Sequence, residues 1–253
     1  MILEQTIGLV VDLSRQGEPA IVLRDAVVTP ETWVLPPVLP ADDIVVMYAH
    51  GGSGKSYLAQ ALAISVQSGR SVFPAPLGDP PTARNVLYLD WETAAAVQKH
   101  RMECLWYGAG ERGPAPAVRY MRCAPKLIDL VPHLQQTIAD HAIAYLIVDS
   151  IGPSCGGDLN DAATALEWFR ALRSLNVGVL AVAHMPKEGD SVLGSVMWEN
   201  LPRAVWRVVP DANLEGALTV TFRLHKGNNL GKQKPFSYTL HFEPGSVAIT
   251  AAR

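Results

Sequence analysis

The segment AHGGSGKS, Ala49 to Ser56, lies between an unbroken apolar run, IVVMYA (44–49), and a stretch with helical spacing that begins near Lys55. Its glycines, Gly51, Gly52 and Gly54, keep regular helix and strand out of the loop and permit left-handed backbone. A loop of this kind, leading from a strand into a helix, turns successive backbone N–H groups toward one point. The helix N-terminus adds its partial positive charge. Such a concavity selects an anion. The spacing G-x-x-x-x-G-K-[ST], here with alanine in first place, selects the phosphates of a nucleotide. The expected contacts are Gly51, Gly52, Ser53, Gly54, Lys55, Ser56 and Tyr57. Lys55 is expected at the β- and γ-phosphates and Ser56 at Mg2+, so ATP and Mg2+ are the expected cofactors.

The same strand–helix pattern continues along the chain. Apolar runs NVLYLD (85–90), YLIVD (145–149) and VGVLAVA (177–183) follow the first, and 55–68, 94–107, 129–140 and 160–174 between them carry apolar residues at helical spacing. Unbroken runs fit strands buried on both faces. The alternation predicts an α/β fold, a mostly parallel sheet flanked by helices. After residue 203 the pattern becomes strand-like alternation, in AVWRVV, ALTVTFRLH, PFSYTLHF and VAIT, which predicts antiparallel strands at the C-terminal end. Residues 1–43 read as an N-terminal lead-in, with a small hairpin over 7–13 and 20–24 and a proline-rich TWVLPPVLPADD that cannot hold regular helix. Residues 44–253 read as one large domain.

Composition narrows the classes of function. A chain of 253 residues, 49% apolar, has the material for a full core. A net charge of −3 is unlike that of a strongly basic nucleic-acid binder, so any such contact must come from a local patch. Cys104, Cys123 and Cys155 lack pairing or metal spacing and read as free thiols of a reducing compartment. The N-terminus has no signal-peptide pattern, and no apolar run approaches the ~20 residues of a membrane helix. A cytoplasmic protein with no membrane association is expected.

Two strand ends supply acids for hydrolysis. YLIVDS places Asp149 at the end of a buried strand, where a carboxylate can act on the Mg2+ side of the phosphates. LYLDWE places Asp90 and Glu92 on one face by period-2 geometry, both toward the crevice beyond the strand ends. Glu92, at the tip, is the better base to orient the attacking water.

Four segments in order, AHGGSGKS (49–56), LYLDWE (87–92), LIVDSIGPS (146–154) and NVGVLAVAH (176–184), resemble the RecA-like P-loop ATPases. The resemblance is nearest to the plasmid RepA-type hexameric helicase group (AAA_25-like), more distantly to RecA and KaiC, and covers about 44–243. It implies a RecA-like core, with Glu92 as catalytic glutamate and Asp149 in the Walker-B role. It puts His184 in the sensor position that couples the γ-phosphate to the nucleic-acid loops. RecA carries glutamine there and the plasmid helicase group histidine. LHKGNNLGKQKPF (224–236) resembles the segment that sends basic fingers into a neighbouring subunit's ATP site. Lys226 matches the first finger, and Asn228 stands at the second, with Lys232 and Lys234 nearby. The resemblance therefore implies a homo-oligomer, a hexamer in the helicase group, with ATP sites at subunit interfaces.

In the RecA family the loops after the third and fourth strands touch single-stranded DNA. Here they are SIGPSCGGDLN (150–160), without lysine or arginine, and MPKEGDSVLGSVM (185–197), with Lys187 offset by Glu188 and Asp190. The first expectation is a Mg2+-dependent ATPase that moves along single-stranded DNA as a replicative-type helicase. The alternative is a KaiC-like or accessory ATPase whose nucleotide state switches protein assembly, which the weakly basic loops favour. A small-molecule kinase is disfavoured because no arginine-rich lid follows residue 100.

Overall fold

The computed structural model describes residues 22–27, 32–185, 192–211, 215–228 and 230–252. The chain divides into a short unit, Met1–Glu31, and a compact unit, Thr32–Arg253. Of the short unit, Leu23–Asp25 forms a turn of 3-10 helix, where strand was expected. The rest of the expected hairpin, with 7–13, lies outside the described residues, as do Lys187, Glu188 and Asp190.

The compact unit opens with a hairpin of β1 (Trp33–Leu35) and β2 (Leu39–Pro40). Proline stops helix here, but Val34, Leu35, Val38 and Leu39 are fully buried, so the segment belongs to the core. Then follow β3 (Ile44–Ala49), α1 (Lys55–Ser68), β4 (Val86–Asp90), α2 (Ala95–Gly108), β5 (Arg119–Arg122) and α3 (Leu127–His141). The chain continues through β6 (Tyr145–Asp149), α4 (Ile151–Cys155), α5 (Ala162–Arg173), β7 (Gly178–His184) and α6 (Met197–Asn200). It ends in β8 (Ala204–Pro210), β9 (Ala217–Gly227), β10 (Phe236–Glu243) and β11 (Ser246–Ala251).

Nine strands form one sheet in the order β11-β10-β9-β8-β3-β7-β6-β4-β5. The pairs from β8 through β5 are parallel, and those from β8 to β11 antiparallel. Two points differ from the sequence expectation. β8 pairs in parallel with β3 and is antiparallel only to β9, because the chain crosses back beneath the sheet through α6 before entering it. β5, the short edge strand RYMR, is partly exposed and carries no apolar run to betray it.

Successive strand residues separate two cores. Val45, Met47, Tyr88, Tyr145, Ile147, Leu180 and Val182 face α1 and α2, while Val46, Tyr48, Leu89, Leu146, Val148 and Ala181 face α3 and α5. α1 is alanine- and leucine-rich and closes on Gly69 in the left-handed conformation, whose N–H returns to the Ser65 carbonyl. Ten of its fourteen residues are buried, the mark of a helix covered all round. It lies on the sheet and against α2, and Leu218, Val220, Tyr238, Leu240 and Val247 of β9 to β11 join the same core. β11 packs on α2 so closely that a side chain on Gly108 would meet the Val247 carbonyl at 2.0 Å.

Candidate functional site

β3 delivers the glycine loop at its C-terminal end, at the point where the chain departs to one side of β3 and later returns on the other. Ligand crevices of open α/β sheets form at such a switch point. Gly52 and Gly54 have φ of 74° and 78°, left-handed values that other residues reach only with strain. A Cβ at Gly54 would also stand 2.7 Å from a Leu218 methyl. Ser53 donates its hydroxyl to the His50 carbonyl at 2.8 Å, which tightens the loop.

The Lys55 ammonium donates to the Ala49 carbonyl at 3.0 Å and to His50 at 2.7 Å. Burial lowers its pKa from the ordinary 10.5 to about 8, against the opposing pull of Asp149 and Glu92. Asp149, in turn, is pushed upward by burial, while hydrogen bonds from Tyr88 and Ser56 hold it down. The Tyr88 hydroxyl donates to Asp149 Oδ2 at 2.7 Å. Burial, and then the Asp149 charge, drive the pKa of Tyr88 well above 10, so it remains an O–H donor.

Strand parity places Asp90, Asp149 and His184 on the α1 face. Asp149 and His184 reach the cleft, and Asp90 does not, contrary to expectation. The buried Asp90 carboxylate accepts from the Glu92 N–H at 2.7 Å, from the Thr93 N–H at 2.9 Å and from the Gln98 amide. It is a bracket that shapes the turn carrying Glu92. The physical reason is satisfaction: a buried carboxylate takes the nearest free donors, here those of its own turn. Glu92 itself projects into the cleft. Its Oε1 accepts from the Ser150 hydroxyl at 2.8 Å and lies 3.9 Å from His184 Nε2. The Asp149–Ser150 peptide between these groups is cis.

Together these residues line a cleft of about 520 Å3. Gly52, Ser53, Gly54, Lys55, Ser56, Tyr57, Glu92, Asp149 and His184 all contribute to it, and Gly51 lies just outside, exposed on the loop. Sequence reasoning missed the opposite wall, made by Arg101 of α2, by Gly216 to Leu218, and by Phe242. The Arg101 guanidinium lies 5.3 Å above the Tyr57 ring, and Phe242 meets the same ring edge-on at 5.2 Å. A signal for Arg101 was present: it sits on the stripe Gln98–Met102–Leu105 that α2 buries, an unusual place for a charge. The strand residues had none, since only the tertiary fold returns β9 and β10 to the loop.

Lys226 is not brought to this cleft. Its ammonium donates to the carbonyls of Asn200, at 3.1 Å, and of Pro202, and burial lowers its pKa. Its neighbour His225 contacts Glu199 at 3.2 Å and meets the Tyr48 ring edge-on. The loops after β6 and β7 are joined to each other. The Leu159 carbonyl accepts from the Ser195 N–H at 2.7 Å and from Trp198 Nε1 at 2.9 Å. The Leu193 N–H donates to the carbonyl of His184, which ties the second loop to the cleft.

The site fits a Mg2+-nucleotide. The glycine cradle is open to an anion, and Ser56 and Asp149 both line the cleft beside it. Ser56 and Asp149 are two oxygen donors, a set that suits an ion taking its other ligands from phosphate and water. No helix among the described residues is long and apolar enough to cross a membrane.

A family model described as AAA domain, AAA_25, matches residues 18–190. No curated protein matches the chain by sequence. Among solved structures, the flagellar accessory protein FlaH from Methanocaldococcus jannaschii is similar at 15% identity and a TM-score of 0.54, over 85% of this chain and 92% of that one. A KaiC-like protein from the archaeon Pyrococcus horikoshii OT3 is similar at 14% identity and a TM-score of 0.56, over 85% and 93%. Both likenesses are of fold.

Proposed function

The chain belongs to the AAA_25 family of AAA domains, with a RecA-like P-loop ATPase fold, and from that premise we propose a Mg2+-dependent ATPase that works as a hexameric ring and translocates on single-stranded DNA as a replicative-type helicase. The observation that carries the ATPase is the meeting of Glu92, Ser150 and His184 across the cleft that holds Lys55. Lys55 leaves the Ala49 and His50 carbonyls for the β- and γ-phosphates. The loop N–H groups, ordered by Gly52 and Gly54, hold the phosphate oxygens. Mg2+, when bound, neutralises charge on the phosphates. Ser56 and Asp149 hold its position and that of its water shell. Glu92, oriented by Ser150, accepts a hydrogen bond from the attacking water and directs it in line. Arg101 and Tyr57 offer a guanidinium and a ring to the rest of the nucleotide.

His184 supports coupling to DNA. It contacts Glu92 through its ring and the loop after β7 through its carbonyl, so one residue touches both the hydrolytic carboxylate and a loop that would face the channel. Lys226 would serve a neighbour's site after release from Asn200 and Pro202. A second reading, an assembly-switching ATPase of KaiC-like type, is favoured by the charge of the loop after β6, where Asp158 and Asp161 stand with no cation between Ser150 and Asp161.

The test of the ATPase is Glu92→Gln. Turnover should fall by at least ~100-fold with nucleotide affinity kept, the size of effect general-base groups supply. Unchanged turnover would remove Glu92 from the mechanism. Turnover measured with and without single-stranded DNA at low salt, beside the particle mass, separates the two outputs. Strong stimulation and a ring support the helicase, and slow DNA-independent turnover with nucleotide-dependent assembly supports the switch.

A further inference from the structure

Tyr88 is fully buried on β4, yet its hydroxyl reaches a functional group. In the β4–β6 register Tyr88 faces Ile147, and Asp90 faces Asp149. Tyr88 and Asp149 are therefore diagonal neighbours on one sheet face, a separation that a tyrosine spans and a shorter side chain does not. The contact is direct, at 2.7 Å to Oδ2. It comes from the middle of a strand buried along its whole length, so the donor cannot drift. Ser56, at the end of the phosphate loop, also favours the charged form of the same carboxylate.

We infer that Tyr88 is a positioning residue for the metal-side carboxylate: its buried hydroxyl holds Asp149 Oδ2 so that the remaining oxygen is presented to Ser56 and to a Mg2+ ion's water shell. The inference rests on the reading of Asp149 given above. A carboxylate with one oxygen fixed has a single orientation about its terminal torsion. Without Tyr88 it rotates, and with it the acceptor that the metal's water requires. Groups that orient metal-side residues in this way commonly change metal affinity by about 10- to 100-fold. Phenylalanine fills nearly the same space, so Tyr88→Phe removes the hydroxyl and leaves the packing of the strand.

The experiment measures metal, not turnover. Binding of a non-hydrolysable ATP analogue is titrated in EDTA and then with Mn2+ in place of Mg2+, and bound Mn2+ is counted by electron paramagnetic resonance. Wild type is compared with Tyr88→Phe and Asp149→Asn. The expected result for Tyr88→Phe is EDTA affinity within about twofold of wild type and Mn2+ half-saturation raised about tenfold. Asp149→Asn should lose most of the Mn2+ effect. Unshifted Mn2+ saturation in Tyr88→Phe beside a defective Asp149→Asn overturns the role of Tyr88. Equal loss of EDTA affinity and Mn2+ binding in Tyr88→Phe overturns it too, because the hydroxyl then serves the fold. An Asp149→Asn protein with wild-type Mn2+ binding instead overturns the reading of Asp149.

Discussion

The Lys55 ammonium is bonded to the carbonyls of Ala49, the last residue of β3, and of His50, with its pKa lowered to about 8. Burial thus disfavours the protonated form. The resulting cost is fully present below pH 8 and is relieved as pH rises from about 8 toward the ordinary 10.5. Phosphate reverses the preference by favouring the ammonium. Nucleotide binding in EDTA near pH 8 should therefore take up a fraction of a proton per site, and affinity should fall as pH rises above that range. Titration calorimetry in two buffers of different ionisation heat reads this directly, and Lys55→Ala should abolish the uptake. At this scale the sequence was informative where a residue type has one use and silent where use depends on neighbours. Glycines and a lysine before a helix admit few other readings. In LYLDWE the place of Glu92 at the tip already favours it as the base, but the local use of Asp90 by the N–H groups of the turn is visible only in the fold. Tyr88 reads as an apolar strand residue until β6 is placed beside it.

Among the elements, the parallel strands and long helices were legible because burial on two faces leaves an unbroken apolar run. Direction was not legible for β8, whose alternation suits either pairing, and β5 was invisible because a half-exposed edge strand needs no pattern. Packing between loops was equally hidden. Gly194 has φ 109°, and a Cβ there would meet the Leu159 carbonyl at 2.3 Å, so this glycine permits the junction of the loops after β6 and β7. Gly194→Ala should cost about 1–3 kcal/mol in urea unfolding. It should also speed hydrogen exchange at the Ser195 amide, which donates to Leu159. Wild-type exchange at Ser195 would show that the junction does not depend on this close approach.

For the whole molecule, the open matter is what a neighbouring copy contributes. If Lys226 completes a site in trans, Lys226→Ala should lower turnover by at least ~10³-fold, the range of such cations, with nucleotide affinity of the isolated chain within about twofold of wild type. Mixing it with Glu92→Gln should then restore part of the activity, since each variant supplies what the other lacks. No restoration, with full activity in Lys226→Ala alone, would confine the lysine to its Asn200 and Pro202 contacts. A further consequence lies in the core that α1 shares with β9 to β11. The ribosome releases α1, residues 55–68, some 150 positions before those strands, Ala217–Ala251. Until those strands emerge, Leu218, Val220 and Tyr238 are not there to meet the helix. The nucleotide-binding helix thus emerges well before the strands that share its core, and nascent chains halted before Ala217 should be the ones that chaperones hold.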